Sequence, residues 1–153
     1  MGVYTFRLAP RSENYEILTP GQDYRFGLNL GHIGSSANMQ AWSIHAQASA
    51  RVDIQCYIAN ILKRPFDQYT DNRGWLAPAP NPDVGDLWVP CTSIPNFSVT
   101  PEGIYFQQGE FVDTAQFLMF QLMPQYPTAS KELKDTKGNP IETVAIQLAL
   151  TFR

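Results

Sequence analysis

The stretch that decides the fold runs from Ala41 to Ile58 and reads AWSIHAQASARVDIQCYI. Its even-numbered positions are Trp42, Ile44, Ala46, Ala48, Ala50, Val52, Ile54, Cys56 and Ile58, and all the odd positions between them are polar. Strict alternation over this length, with no Gly or Pro inside it, is typical of β structure and cannot come from helical periodicity. One continuous strand would be roughly 55–60 Å long, far beyond the usual length. We therefore expect either one bent strand or two strands that change sheets, with the bend at Ala48-Ser49-Ala50.

Shorter segments repeat the same alternation along the rest of the chain. We predict further strands at 3–8, 15–18, 23–30, 97–99, 104–107, 115–123 and 142–152. Segment 115–123 is largely apolar on both faces, so it should be a central strand that is covered on both sides. About eight strands with long connections predict an all-β fold, an antiparallel two-sheet sandwich of jelly-roll or Greek-key type.

The length of 153 residues suits a single domain over residues 1–153. Residues 1–22 are expected to form an N-terminal arm or edge strand. Residues 63–96 are expected to form a long loop, because prolines recur through this segment and exclude central strands across most of it. The loop also carries four large aromatic residues, which are Phe66, Tyr69, Trp75 and Trp88. Their rings either pack as a satellite cluster that anchors the loop or contact a partner or ligand.

The chain is poor in charge, since only 16% of its residues are Asp, Glu, Lys or Arg. This suits either a surface partly covered by other protein or simply a β-rich composition. The net charge of −3 argues against nucleic-acid binding. No signal peptide is recognisable and no apolar run is long enough to span a membrane, so we expect no membrane partner.

No set of residues with catalytic or cofactor-binding spacing stands out, so we expect no enzymatic activity, no cofactor and no metal. His32 and His45 have no Cys or Glu at metal-ligand spacing. Calcium remains an alternative at residues 71–74 and 83–86, although both segments suit ordinary turns. Cys56 and Cys91 are expected as reduced thiols, with a bridge between them as the alternative.

One layout in the sequence resembles small virion proteins of tailed phages. Its parts are the alternating segment WSIHAQASARVDIQCYI from Trp42, an irregular loop with Trp75, FLMFQLMPQ from Phe117 and the terminal VAIQLALTFR from Val144. Among these virion proteins, the layout resembles capsid cement, or decoration, proteins with a jelly-roll-like domain. The resemblance implies a homotrimer at three-fold junctions of the head, which binds the major capsid protein or another virion protein. It carries over no diagnostic site residue.

A clamp of this kind works through buried area and needs interface aromatics rather than reactive groups. We therefore hypothesise that the N-terminal segment and the long loop supply the contacts, with Phe66, Tyr69, Trp75 and Trp88 as anchors, and that the protein is located in the virion. One alternative is a carbohydrate-binding module or lectin-like domain, in which Trp75 or Trp88 stacks on a sugar. Another is a tail, fibre or baseplate component of the same virion.

Overall fold

The computed structural model describes residues 4–9, 15–30, 41–62, 75–76, 88–112, 115–126, 137 and 143–153. These residues form eleven β-strands and no α-helix. The strands are β1 (Tyr4–Ala9), β2 (Glu16–Leu18), β3 (Tyr24–Asn29), β4 (Ala41–Ala48), β5 (Val52–Ala59), β6 (Trp75–Leu76), β7 (Val89–Pro90), β8 (Phe97–Val99), β9 (Tyr105–Glu110), β10 (Phe117–Pro124) and β11 (Val144–Phe152).

The strands form two antiparallel sheets with the strand order of a jelly roll. Sheet A has the order β1-β11-β4-β9, with β2 also paired to β11. Sheet B has the order β6-β3-β10-β5-β7, with β8 also paired to β5. Because β1 and β2 share one position, and β7 and β8 share another, each sheet has four positions, and β6 is an extra edge strand. Counted by these positions, the chain passes to the other sheet at every step except from β5 through β6 to β7, which stay in sheet B. This arrangement confirms the predicted two-sheet sandwich.

The long alternating stretch is two strands that change sheets, and the bend lies where the sequence predicts it. Strand β4 ends at Ala48 in sheet A, and β5 begins at Val52 in sheet B. Ser49 holds the bend against β11, because its backbone N–H donates to the carbonyl oxygen of Ala145 at 2.9 Å. In return, the backbone N–H of Ala145 donates to Ser49 Oγ at 2.9 Å. These two bonds satisfy backbone groups that leave the strand ladder at the corner.

The core lies between the sheets and consists of the apolar positions of the alternating strands. Its largest fully buried side chains are Phe26, Phe120, Phe152, Leu18, Leu30, Ile44, Ile54, Ile94, Leu118, Leu122 and Ile146. Strand β10 is central in sheet B, as predicted, between β3 and β5. Its outward-facing Phe117 and Met119 are also buried, with 8% and 6% of their surface exposed. Both faces of β10 are therefore covered.

The structure differs from the sequence prediction in small ways at strand ends and in the long loop. Strand β5 ends at Ala59, one residue beyond the alternating stretch that ends at Ile58. Strand β9 extends to Glu110 because it pairs with β4 over six positions, which its own weak alternation does not reveal. The proline-rich loop contributes β6 and β7, each two residues long and each at an edge of sheet B. Edge positions are the ones that tolerate proline.

Candidate protein-binding surface

The outward face of sheet A is the surface best suited to contact another protein. Its side chains come from the outward positions that alternate with the core positions on five strands. We call this set the sheet A face, and it consists of Thr5, Arg7, Ile17, Ala41, Ser43, His45, Gln47, Phe106, Gln108, Glu110, Ala145, Gln147, Ala149, Thr151 and Arg153. Only Arg7, Glu110 and Arg153 among them are Asp, Glu, Lys or Arg side chains. Small and uncharged polar groups therefore dominate this face.

The strand register arranges these side chains in rows across the sheet. One row runs Thr5, Thr151, Ser43 and Gln108, and the hydroxyl oxygens of Thr5 and Thr151 form a hydrogen bond of 3.1 Å. The next row runs Arg7, Ala149, His45 and Phe106. The strands of sheet B also carry few charged side chains on their outward face, namely Arg25 and Asp53. Charge alone therefore does not distinguish the two faces of the sandwich.

Large apolar side chains lie exposed at two margins of the sheet A face. Phe106 in β9 and Ile104 just before that strand are 58% and 61% exposed. The Phe106 ring meets the exposed His45 ring edge-on, with 6.5 Å between the ring centroids. Ile17 in β2 is 53% exposed and lies opposite Ala145. Exposed apolar groups around a charge-poor face are typical of a surface that another molecule covers.

Three shallow depressions follow the sheet A face along β4. The largest, of about 610 Å³, lies at the start of β4 beside Ser43, Gln108 and Thr151. A smaller one of about 140 Å³ surrounds His45 and Arg7. The third, of about 390 Å³, lies at the other end of the strand, next to Ile104. The face is therefore uneven along its length, which gives a partner side chain places to insert.

Strand β9 forms one edge of sheet A and adds backbone groups to this surface. It pairs with β4 on one side, and no strand of the described ranges pairs with its other side. The sequence from Gly103 to Gly109 carries no charged side chain. Edge strands usually avoid pairing with other chains by carrying charge, proline or a bulge. From Gly103 to Gly109 this edge lacks the first two of these protections, and the strand reaches a charged side chain only at Glu110.

Two titratable groups with shifted pKa values lie in contacts that hold strands together. Burial opposes the ionisation of Asp53, but the hydrogen bonds from Ser98 and Arg51 and the Arg51 charge outweigh it and lower its pKa. Ser98 Oγ donates to Asp53 at 2.6 Å, which ties β8 to β5, and Arg51 Nε lies 2.8 Å from the same carboxylate oxygen. Burial raises the pKa of Tyr105, whose ring stacks on Phe97 at 4.6 Å. Both arrangements stabilise the fold.

The part of the chain that the structure describes holds no group of three or more His, Cys, Asp or Glu side chains arranged to bind a metal ion. His45 is exposed on the sheet A face, whereas His32 and the two candidate calcium segments, 71–74 and 83–86, lie outside the described residues. Within the same ranges there is also no helix of the length and apolarity needed to cross a membrane.

Of the four aromatic anchors predicted from the sequence, only Trp75 and Trp88 are among the described residues. Phe66 and Tyr69 lie outside them. The backbone of Trp75 pairs with Phe26 in β6, but its side chain is not described. Trp88 is partly buried and directly precedes β7. Since β6 and β7 are opposite edges of sheet B, four strand spacings, or roughly 19 Å, separate the two tryptophan backbones across the sheet.

The sequence alone does not identify the sheet A face. The available signal was the composition of the odd positions in β4 and β11, which are small or uncharged without exception. That signal has meaning only when the two strands are known to be neighbours, and their residues are about 100 positions apart in the chain.

Comparison with known proteins assigns no family to this chain. No protein-family model matches it, and its sequence matches no curated protein.

Proposed function

We propose that this protein is a non-enzymatic structural protein of a virion, a capsid cement or decoration protein that bridges capsid subunits. The observation that carries the proposal is the sheet A face, with its low charge and its exposed apolar margins. Its partner is the major capsid protein or another virion protein, and the protein acts as a homotrimer.

The energetics of covering this face favour association with protein. Ile104 and Phe106 each expose about 60% of their surface, so burying each of them would contribute about 1–2 kcal/mol. A partner would not have to strip water from charges at the centre of the face, because Arg7, Glu110 and Arg153 lie toward its margins. Each copy gains modest affinity in this way, and many copies on one lattice add avidity.

The jelly-roll strand order supports the same proposal by analogy. Viral capsid proteins use this order, and so do lectins and cupins, so the fold is compatible with the proposal without selecting it. The sequence resemblance to phage cement proteins is the reason for proposing the capsid among these uses. The alternatives are a carbohydrate-binding module or lectin-like domain, and a tail, fibre or baseplate component of the same virion.

The test is a comparison of two double variants with matched exposure. Ile104→Ser with Phe106→Ser alters the sheet A face. Ile61→Ser with Val89→Ser alters side chains of similar exposure, 57% and 50%, at the other sheet. Light scattering should give a trimer near three times 17.2 kDa for the wild type. Cosedimentation with assembled capsid shells should weaken at least about tenfold for the first variant and stay unchanged for the second.

Equal binding by both double variants would contradict the role of the sheet A face. A monomer whose tryptophan fluorescence shifts with a soluble glycan would instead favour the carbohydrate-binding module. Trp75→Ala with Trp88→Ala tests the loop anchors separately, since unchanged binding by that variant would refute them and leave the sheet A face as the contact.

A further inference from the structure

The two cysteines of the chain lie opposite each other on neighbouring strands. Strand β7 pairs with β5 through Tyr57 with Pro90 and Ile58 with Val89. The same register places Cys91, which follows β7 directly, opposite Cys56. The backbone confirms this placement, because the N–H of Cys91 donates to the carbonyl oxygen of Cys56 at 2.9 Å.

The geometry of this pair is compatible with a disulfide bond. Directly opposed residues of an antiparallel pair point their side chains to the same side of the sheet. For Cys56 and Cys91 this side is the core, where both belong to the same apolar cluster, with 1% and 7% of their surface exposed. The Cα atoms of a hydrogen-bonded antiparallel pair lie about 5.5 Å apart, within the range that disulfides span.

Cys91 has a short route to the solvent although its side chain is buried. Strand β7 is an edge strand of two residues, and its Val89 is 50% exposed. Pro90 has no N–H to donate to the ladder. Both chain neighbours of Cys91, Pro90 and Thr92, are exposed. A local opening of β7 therefore exposes the Cys91 thiol without unfolding the sandwich.

We propose that Cys56 and Cys91 are a reversible disulfide site, which low-molecular-weight disulfides such as oxidised glutathione close. The Cys91 thiolate attacks one sulfur of oxidised glutathione, forming a mixed disulfide and releasing one glutathione thiolate. The Cys56 thiolate then attacks the Cys91 sulfur, forming the intramolecular bond and releasing the second glutathione. Two protein thiols are oxidised and one disulfide is reduced to two thiols, which carry away the two protons.

The bond would close a loop of about 35 residues and fix the end of the proline-rich connection to β5. Its chemistry does not depend on the proposed function, but the time at which it forms does. A protein made in a reducing cytoplasm would hold the two thiols, and a virion released into an oxidising medium would acquire the bond.

The experiment treats the folded full-length chain with oxidised glutathione and then counts thiols after unfolding. We expect two thiols before treatment and none after it, a mass loss of two hydrogens and no retained glutathione. A proteolytic peptide with Cys56 should be linked to one with Cys91. The melting temperature should rise on the order of 5–10 °C and return to its original value with dithiothreitol.

Cys91→Ala and Cys56→Ala, treated in the same way, are the controls and should show no reversible rise in melting temperature. The proposal is overturned if the treated wild type keeps two thiols, if it retains glutathione without closing the bond, or if the bond joins two chains. It is also overturned if the bond forms only in denaturant, because the native register would then not be what brings the thiols together.

Discussion

Replacing Gly109 by alanine should destabilise the protein through one defined steric conflict. Gly109 in β9 lies opposite Trp42 in β4, on the core side of sheet A. A Cβ atom at Gly109 would lie 2.9 Å from Trp42 Cζ2, 3.1 Å from its Cε2 and 3.2 Å from its Nε1. Carbon atoms normally pack at about 3.5–4.0 Å, so the indole or β9 would have to move.

The surroundings of Trp42 make that movement unfavourable. The indole is 4% exposed, and its Nε1 donates to the carbonyl oxygen of Glu110 at 3.1 Å. Overpacking of a core usually costs about 1–3 kcal/mol. Loss of the hydrogen bond would add about 1 kcal/mol, and the reduced freedom of the unfolded chain would return about 0.4–1 kcal/mol. The free energy of unfolding should therefore fall by about 1–3.5 kcal/mol.

Gly103→Ala is the matched control, because a Cβ atom there would meet nothing within 4 Å. We expect that variant to unfold with the wild-type free energy or up to about 1 kcal/mol more. Urea unfolding followed by tryptophan fluorescence measures both variants, and an unchanged denaturant slope shows that the unfolded states are comparable. In a Trp42→Phe background the smaller ring should relieve the conflict, so the effect of Gly109→Ala should shrink. The steric argument fails if Gly109→Ala matches Gly103→Ala, or if its effect is the same with Trp and with Phe.

Two further predictions concern the contact between β8 and β5 and the turn before β3. Ser98→Ala removes the 2.6 Å bond to Asp53 and should cost about 1 kcal/mol at pH 7. Because the folded-state pKa of Asp53 is lowered, its contribution is complete above the unfolded pKa near 4 and is lost as the pH falls through the folded pKa. Urea unfolding should therefore show a smaller difference between wild type and variant at pH 3, and an equal difference at both pH values would contradict the pairing. Gly21→Ala should cost about 1–2 kcal/mol, because Gly21 has φ of +82° and its Cβ would lie 3.2 Å from Tyr126 Cε2. Thermal unfolding measures this loss, and a melting temperature equal to that of Gly103→Ala would show that the left-handed conformation is not required.

The strands were largely predictable because alternation is a local property of the chain. Each half of the stretch from Ala41 to Ile58 must place one set of side chains against a core and the other set outside. The bend was predictable for a related reason, since the stretch is too long for one strand of a small domain. The loop strands β6 and β7 were not predictable, because two residues carry no periodicity and form strands only where a sheet edge receives them.

The candidate binding residues and the cysteine pair also differ in whether nearby sequence or only strand pairing identifies them. The proline-rich composition of the loop marks Trp75 and Trp88 locally, whereas no local pattern marks the exposed apolar groups of sheet A. Phe106 looks like an ordinary strand residue until β9 is placed beside β4, with its ring on the outward side and next to His45. The sequence does not specify that Cys56 and Cys91 lie opposite each other, because no local pattern determines which residue pairs with Cys56 across the sheet.

By itself, the sequence determined that this protein is an all-β sandwich, which residues face its core and where its longest stretch bends. These properties follow from side-chain periodicity and chain length, which act over a few residues. Only the tertiary structure decided the jelly-roll strand order, the charge-poor sheet A face and the position of Cys91 opposite Cys56. Each of these depends on which strands become neighbours, and that choice is made by burial of the whole core between residues far apart in the chain.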